Sequence, residues 1–482
     1  MEHDDKRGTA GEGDAEALTM DGTVRWPLSP ATIHITNRRY QPDPFWGGPK
    51  GIEYGLLVGA LPIQQPVLYP DGGSSYFVAQ FQLPVGASLT IRGEYGHVRY
   101  FSFTVAGATS EGGLGNGDNL RDVDIDPDPG SYNPFDPAQR RDVTPRAYTL
   151  QVLQNDNPPP EDDRPPNTLY VPVNHGIGEA PHIHLAIRHY IPDAGYDGTG
   201  NVRLDGDGYG LPQVTLTLAD GTQQTGHEMA KTLHAKKTGE QAEYTLAQWQ
   251  SEVNGSTSAP ALREPVFQRF WNVGYSVSGA FIADPETRVA TYPATNEGGF
   301  ANNPDTIYMM ASFSLEYGEI VVIEGKLPLT PKTRRGDTTW PAEDQVRYWS
   351  ATSGASPPSG VGWSTVFDEQ VPLDADGNYT LVVSWPECRP KNATPEHGVA
   401  WLAFGDGEGH YVGARNWVNT VYLRYQVANP RWPRSPRHIP PPTKEDPQPH
   451  DAEVMGEYFP RAHYTSKKAF ERLHRFHGVC ED

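Results

Sequence analysis

One set of strand-like phrases occurs twice along this chain, in the same order. The first copy reads GASLTIRGEYGHVRYFSFTVAG, DVDIDPDPGSYNP and PRAYTLQVL, and the second reads GEIVVIEGKLP, VRYWSATSG and DEQVPLDADGNYTLVV. The phrases alternate apolar and polar residues and end at turn formers, a pattern typical of short antiparallel strands. We therefore predict two copies of one sandwich, with the interface between them as a natural place for a cleft.

The composition favours the same fold class. A chain of 482 residues is too long for a single core, because domains average about 150 residues. Its 50 Gly, 46 Pro and 24 Tyr suit strands joined by tight turns. We predict a mainly β protein with two related antiparallel, jelly-roll-like β-sandwich domains, a short helical connector and a C-terminal helix.

Changes in pattern along the chain indicate the domain boundaries. Residues 1–25 are polar and small and predict a disordered leader. Apolar residues at helical spacing in EMAKTLHAKK, AEYTLAQWQSEV and PVFQRFWNVG predict the connector, and a last helix is expected near 465–476. The predicted units are 26–224 for the first sandwich, 225–280 for the connector, 281–430 for the second sandwich and 431–482 for a Pro-rich tail with the terminal helix.

Charge and hydropathy exclude several partners. The formal net charge of -21, without a basic cluster to override it, argues against nucleic acid. No window approaches the roughly 18 apolar residues that span a bilayer, and the first thirty residues lack a signal-peptide pattern, so we expect a soluble, cytoplasmic protein without a membrane partner. Cys388 and Cys480 form no paired spacing and support neither a disulfide framework nor a zinc ribbon. The sequence leaves open whether the chain forms a homo-oligomer.

The second repeat also carries a family resemblance. The phrases NNPDTIYMMASFSLEYGEIVVIEG, VRYWSAT, DADGNYTLVVSWPE and GVAWLAFG resemble bacterial proteins that pair the domain-of-unknown-function families numbered 1254 and 1214. That resemblance implies tandem jelly-roll-like sandwiches. Because it consists of strand and turn phrases, it implies no catalytic signature.

A His-x-His pair is one candidate for chemistry. His182 and His184 in APHIHLAIRHY would project from the same face of a strand, which is ligand geometry for a transition metal. A third ligand could come from His175 or from His97. The alternative is a chance pair that faces solvent or is hydrogen-bonded, because the chain has 16 His.

A run of alternating acids is a second candidate. Asp122, Asp124, Asp126 and Asp128 in RDVDIDPDPGS repel one another unless they spread around a solvated turn or hold a hard cation. We place a candidate calcium site at Asp124, Asp126 and Asp128, with a plain acidic turn as the alternative. The second repeat keeps the turn but loses half of the acids, which favours the alternative.

Two arginines at equivalent places are the third candidate. Arg99 in VRYFS and Arg347 in VRYWS share a strand face with aromatic residues, and a guanidinium among rings can bind a carboxylate. Tyr100, Tyr348 and Trp349 complete the predicted ligand-binding set. In the alternative reading, each arginine packs on its sheet and pairs with an acid of the same domain.

The chain contains none of the familiar nucleophile, phosphate-binding or dinucleotide motifs. Whether it is an enzyme therefore stays open. Our leading hypothesis is an aromatic-lined pocket that binds or transforms a small organic molecule able to carry a carboxylate. The alternatives are a metal-dependent enzyme that uses the His-x-His strand and a non-catalytic assembly or surface-binding protein.

The duplication makes a geometric prediction of its own. If the two copies share one fold, Arg99 should lie at the position equivalent to Arg347, and Tyr148 at the position equivalent to Tyr379.

Overall fold

A computed structural model describes the fold of most of the chain. The described residues are 45–50, 71–108, 114–171, 173, 183–196, 211–235, 263–296, 303–355, 362–404 and 419–473. The predicted leader, residues 1–25, lies outside them, as does the central part of the predicted connector.

The first sandwich consists of two five-stranded sheets. Its strands are β1 (Gly47–Lys50), β2 (Ser74–Phe81), β3 (Ser88–Glu94), β4 (Val98–Ala108), β5 (Leu114–Arg121), β6 (Ala147–Gln154), β7 (Thr168–Val171), β8 (Ile183–Pro192), β9 (Gln213–Thr217) and β10 (Gln223–Thr225). The strand order is β1-β2-β8-β4-β5 in one sheet, here called the first seam sheet, and β10-β9-β3-β6-β7 in the other, the first outer sheet. Neighbours are antiparallel except β6 and β7.

The second sandwich has a five-stranded and a four-stranded sheet. Its strands are β11 (Gln268–Arg269), β12 (Thr306–Phe313), β13 (Ile320–Lys326), β14 (Tyr348–Ala355), β15 (Gly362–Phe367), β16 (Asn378–Ser384), β17 (Val399–Ala403), β18 (Asn419–Gln426) and β19 (Arg461–Thr465). The order is β11-β12-β18-β14-β15 in the second seam sheet and β17-β16-β13-β19 in the second outer sheet. Strands β16 and β17 are parallel.

The two sandwiches share one topology. The order β2-β8-β4-β5 recurs as β12-β18-β14-β15, and β9-β3-β6-β7 recurs as β19-β13-β16-β17, including the single parallel pair. Tyr148 pairs with Gly93 and Tyr379 pairs with Gly325 at the same place in the two outer sheets. The predicted fold class, two related antiparallel sandwiches, is confirmed, whereas the predicted domain boundaries stay predictions.

Each sandwich encloses its own hydrophobic core. On β4, Phe101, Phe103 and Val105 point inward, and on β14 the inward residues include Trp349 and Ala351. Because strand side chains alternate, the residues between these positions point out of the sandwich. On both seam sheets that second face is also buried, so the seam sheets are covered on both sides.

The two outer sheets differ in what covers them. The outward face of the second outer sheet is apolar and packs Ile320 and Val322 against Phe470 of the C-terminal helix. The outward face of the first outer sheet carries partly exposed threonines such as Thr90 and Thr215 and needs no such cover.

The helices are short. They are α1 (Gly226–Thr232), α2 (Val273–Ser278), α3 (Pro285–Thr291), α4 (Asp451–Met455) and α5 (Lys467–Leu473). Helix α5 confirms the terminal helix expected near 465–476. The helical reading of PVFQRFWNVG is wrong at its centre, where Gln268 and Arg269 pair with Met310 and Met309 as strand β11. Within the described ranges, no helix has the length and apolar character needed to cross a bilayer.

Two glycines allow a tyrosine ring to cross the neighbouring strand in each sandwich. A Cβ added at Gly93 would lie 2.6 Å from Tyr148 Oη, and one added at Gly325 would lie 2.6 Å from Tyr379 Oη. We expect Gly93→Ala and Gly325→Ala each to lower the free energy of unfolding by about 1–3 kcal/mol, because the ring must move within a packed core. Urea denaturation measures the effect. An unchanged stability in either variant would contradict the equivalence of the two sites.

Candidate functional site

The two sandwiches meet through the outward faces of their seam sheets, and we call this contact the seam. The residues on these faces are polar and aromatic yet buried. They include Tyr76, Gln80, Tyr100, Arg188, Tyr190, Tyr348, Thr420, Tyr422 and Arg424. A buried polar surface of this kind is stable only where its groups are hydrogen-bonded, so the partners of these side chains decide what the seam can do.

Arg99, at the start of β4, crosses the seam. Its Nη1 donates to both carboxylate oxygens of Asp368, at 2.7 and 2.6 Å, and its Nη2 pairs with Glu369. Arg99 and Asp368 are both fully buried. Burial by itself lowers the pKa of Arg99, but the two acids outweigh it and raise the pKa above its ordinary value. The guanidinium therefore stays charged.

Arg347 makes the reciprocal contact from the second sandwich. Its Nη1 donates to Asp122 Oδ1 at 2.5 Å, and that carboxylate is fully buried. Asp122 directly follows β5 and Asp368 directly follows β15, so the two acids are equivalent. Burial raises the pKa of Asp122, and Arg347 opposes that rise. We call these two arginine–carboxylate pairs the clamp.

Each clamp acid also holds its own sandwich. Asp122 accepts the backbone N–H of Phe101 at 2.9 Å, and Asp368 accepts that of Trp349 at 3.1 Å. Each carboxylate thus ties the start of one strand in its own half to an arginine of the other half. The two halves use identical parts in a two-fold arrangement.

An aromatic ring extends the clamp on one side. The guanidinium of Arg141 lies 4.3 Å from the centre of the Trp340 ring, and that of Arg347 lies 4.6 Å from it. Trp340 Nε1 donates to the carbonyl of Pro134 at 2.9 Å. The ring stabilises both guanidinium groups by cation–π interaction. Because Arg141 belongs to the first sandwich and Arg347 to the second, Trp340 links the two sandwiches.

Asp71 sits in a second polar nest at the seam. Its Oδ1 accepts the Tyr348 hydroxyl at 2.7 Å, and its Oδ2 accepts Ser350 Oγ at 2.5 Å. Nε of Arg424 lies 3.5 Å from Oδ2. The carboxylate belongs to the first sandwich and its donors belong to the second. Asp71 therefore shows that these donors are arranged to bind a carboxylate.

The equivalent nest in the other half contains Tyr100. Its hydroxyl lies 3.1 Å from the Asn303 amide and donates to Asp305 Oδ2 at 2.6 Å. Asn119 Nδ2 also donates to Asp305, at 3.0 Å. Burial raises the pKa of Tyr100 well above its usual range, and Asp305 reinforces the rise, so the hydroxyl stays protonated.

Two arginines and their tyrosine neighbours occupy equivalent positions along the seam. Arg188 on β8 pairs across strands with Tyr76, and Arg424 on β18 pairs with Tyr308, whose ring centre lies 5.6 Å from the guanidinium. The hydroxyls of Tyr76 and Tyr190 approach to 3.4 Å. Burial lowers the pKa of Arg424, but Asp71 and the tyrosines outweigh it, so the net pKa is raised.

Further along the same faces, two polar atoms are buried without a hydrogen-bond partner. Gln80 Nε2 on β2 and Thr420 Oγ1 on β18 are both at most 1 % exposed. A buried polar atom left unpaired costs about 1–3 kcal/mol, so such atoms need an explanation.

The structure separates the predicted ligand-binding residues. Tyr100 and Tyr348 lie at the seam, whereas Trp349 lies in the core of the second sandwich. The carboxylates that pair with Arg99 and Arg347 come from the opposite half, which differs from the same-domain pairing that the sequence suggested as the alternative. Ligand binding by these residues stays a prediction.

The candidate metal ligands are placed as follows. His175 and His182 lie outside the described residues, and His184 is a half-buried residue of β8. Asp124 pairs with Arg121, Asp126 is held through its backbone by Asn167, and Asp128 accepts Thr149 Oγ1 at 3.1 Å. Across the described part of the chain, no three His, Cys, Asp or Glu side chains converge as a metal site would require.

Sequence reasoning missed most of the seam residues. Asp71, Arg188 and Arg424 carry no motif, and Asp122 stood out only as one acid of a run. One signal was available for the clamp, because an aspartate follows β5 in one repeat and β15 in the other.

A surface cavity of about 460 Å³ lies at the start of α2. Asn272, Gly274, Tyr292 and Thr295 contribute to its lining, which contains no charged side chain. This lining does not suit an anion.

Comparisons with known proteins add little. No family model and no curated protein match the chain. Among solved structures, it is similar to an uncharacterised protein from Burkholderia cenocepacia, with 14% identity over 83% of this chain and 78% of that one and a TM-score of 0.39.

Two other structures are more distant. A biofilm-associated protein BSP domain has 8% sequence identity over 84% of this chain and 53% of that one, with a TM-score of 0.16. An anti-sigma factor domain-containing protein has 5% sequence identity over 79% of this chain and 87% of that one, with a TM-score of 0.15. TM-scores this low carry no argument about function, and the resemblance to the paired unknown-function families stays a prediction.

The clamp predicts a large loss of stability when it is broken. We expect Arg99→Met to lower the free energy of unfolding by about 3–5 kcal/mol, because Asp368 is then buried without its cation. The matched control is Arg140→Met, which removes an arginine from an exposed pair with Asp142 and should change nothing measurable. Urea denaturation compares the two. Equal stability of the two variants would show that the clamp contributes nothing.

Proposed function

We propose that the seam binds a small organic molecule that carries a carboxylate. The observation that carries this proposal is the pair of buried, unpartnered polar atoms, Gln80 Nε2 and Thr420 Oγ1, on the two faces that meet there. A bound polar molecule would provide the missing hydrogen bonds.

The donors of the seam suit a carboxylate. Tyr348, Ser350 and Arg424 together hold the carboxylate of Asp71, so the chain itself contains an example of the recognition proposed. The neighbouring tyrosine rings would contact the apolar part of such a molecule.

The packing of the two faces differs along their length. Near the clamp the faces touch, and the rings of Tyr190 and Tyr348 lie 5.4 Å apart. Further along, Val78 packs within its own face, and Met310 packs with Tyr422 in a separate apolar group. These two apolar groups are separate from each other, and the proposal places the ligand beside them, next to Gln80 and Thr420.

The proposal predicts an acid-specific gain in stability. Benzoate, phenylacetate and succinate should raise the melting temperature of the purified full-length protein more than the matching amides do, because a hydrogen bond from a guanidinium to an anion is stronger than one to a neutral carbonyl. Thermal denaturation with each compound measures this. If acids and amides have the same effect, the proposed ligand class is wrong.

A variant locates the binding to the seam. Thr420→Val should weaken the response to the acid without lowering the stability of the free protein, because the lost hydroxyl has no partner there. Thr215→Val, at a partly exposed threonine on the outer face of the first outer sheet, is the matched control and should respond like the original protein. An unchanged acid response in Thr420→Val would place the ligand elsewhere.

A further inference from the structure

The loop between β13 and β14 contacts the clamp and carries a lysine without a counter-charge of its own. Thr333 Oγ1 in this loop accepts Nε of Arg99 at 3.1 Å. The preceding residue, Lys332, is half-buried, and its Nζ donates to Thr330 Oγ1 at 2.7 Å. Among the described residues, Lys332 forms no ion pair. Lysines that leave water are normally paired, so this amine needs an explanation.

The groups around Lys332 favour its neutral form. Burial lowers the pKa of Lys332, and the guanidinium groups of Arg99 and Arg335 lower it further. Asp368 and Glu369 oppose the change, but both acids are already paired with Arg99. The net pKa lies below its ordinary value, so a larger share of this amine is neutral than of an exposed lysine.

The two ends of the loop lie against each other. The carbonyl of Leu329 accepts the backbone N–H groups of Gln345 and Val346, at 2.9 and 3.2 Å. This contact brings Asp344 close to the segment that carries Lys332. Asp344 is half-buried, and its carboxyl group forms no hydrogen bond with any described group.

The surroundings of Asp344 favour its protonated form. Burial raises the pKa of Asp344 to about 7, and the acids Glu343 and Asp337 reinforce the rise. The cations Lys332 and Arg99 oppose it, so the Lys332 amine and the Asp344 carboxyl lie within electrostatic reach of each other. A carboxyl group of this kind can both give and take a proton near neutral pH.

An arginine on the same turn is available to an anion. Arg334 is exposed, and in the described part of the chain its guanidinium forms no ion pair and no hydrogen bond. It lies two residues after Lys332. Because a guanidinium binds a carboxylate well, Arg334 can hold the carboxylate of a molecule that reacts with the amine.

We propose that Lys332 condenses with a small aldehyde that carries a carboxylate, and that Asp344 is the acid of this step. The neutral nitrogen adds to the carbonyl carbon and forms a carbinolamine. Asp344 gives its proton to the new hydroxyl group, which leaves as water, and the resulting carboxylate takes the proton from the nitrogen. Amine and aldehyde thus become imine and water. This activity goes beyond the proposed function and does not depend on its ligand site.

Reductive trapping tests the inference. Full-length protein is incubated with glyoxylate and cyanoborohydride, which reduces an imine to a stable amine, and peptide mass spectrometry measures the labelling of each lysine. At about pH 7, Lys332 should be labelled several-fold faster than Lys468, an exposed lysine of α5. Acetaldehyde, which lacks the carboxylate, should give a smaller ratio of the two. If glyoxylate labels Lys332 no faster than Lys468, the inference is overturned.

The pH dependence tests Asp344 as the acid. Between about pH 6 and about pH 8 Asp344 loses its proton, so the ratio of Lys332 to Lys468 labelling should fall. Asp344→Asn keeps the neutral shape but has no proton to give. Its ratio should be several-fold lower at the acidic end and should not fall across this range.

A matched control and a second criterion complete the test. Asp163→Asn makes the same chemical change at an exposed position and should label like the original protein. A pH profile of Asp344→Asn equal to that of the original protein overturns the role of Asp344. If Asp344→Asn does not fold, the ratio of Lys332 to Lys468 labelling in the original protein decides alone.

Discussion

The structure depends on the two buried arginine–carboxylate pairs that cross the seam. Removing two charges from water costs several kcal/mol for each ion, and only a well-placed counter-charge with further hydrogen bonds offsets that cost. Arg99 finds its counter-charge in Asp368, and Arg347 finds its own in Asp122, each time in the opposite sandwich. Neither sandwich can bury its clamp residues without the other, so the two halves form one unit.

The clamp is arranged like the interface of a two-fold symmetric dimer, but both halves belong to one chain. In such an interface the same patch serves both partners, so each half must present both the arginine and the acid. Duplication frees the two copies to differ afterwards. They differ in the turn before β2 and β12, where Asp71 accepts the backbone N–H of Gly73 and Asn303 accepts that of Asp305. They also differ in their outer sheets, where one face is apolar and covered by α5 and the other carries partly exposed threonines.

Much of the fold was predictable because strand patterns are local. Alternation along VRYFSFTV and VRYWSAT predicts strands β4 and β14, and the repeated order predicts that Arg99 and Arg347 are equivalent. The prediction failed at PVFQRFWNVG, where pairing with β12 overrides a helical spacing of apolar residues. The candidate site was hardly predictable, since its residues come from distant segments and share no motif.

The sequence by itself determined the fold class, the duplication and the equivalence of the two arginines, because each follows from periodicity within a few residues or from repeated order. Only the tertiary structure decided which acids neutralise those arginines. Asp122 and Asp368 are unremarkable within their own repeats, and they become partners of Arg347 and Arg99 only when the two seam sheets meet. Charge pairing acts through space at a few ångströms, and the chain order does not record which segments come that close.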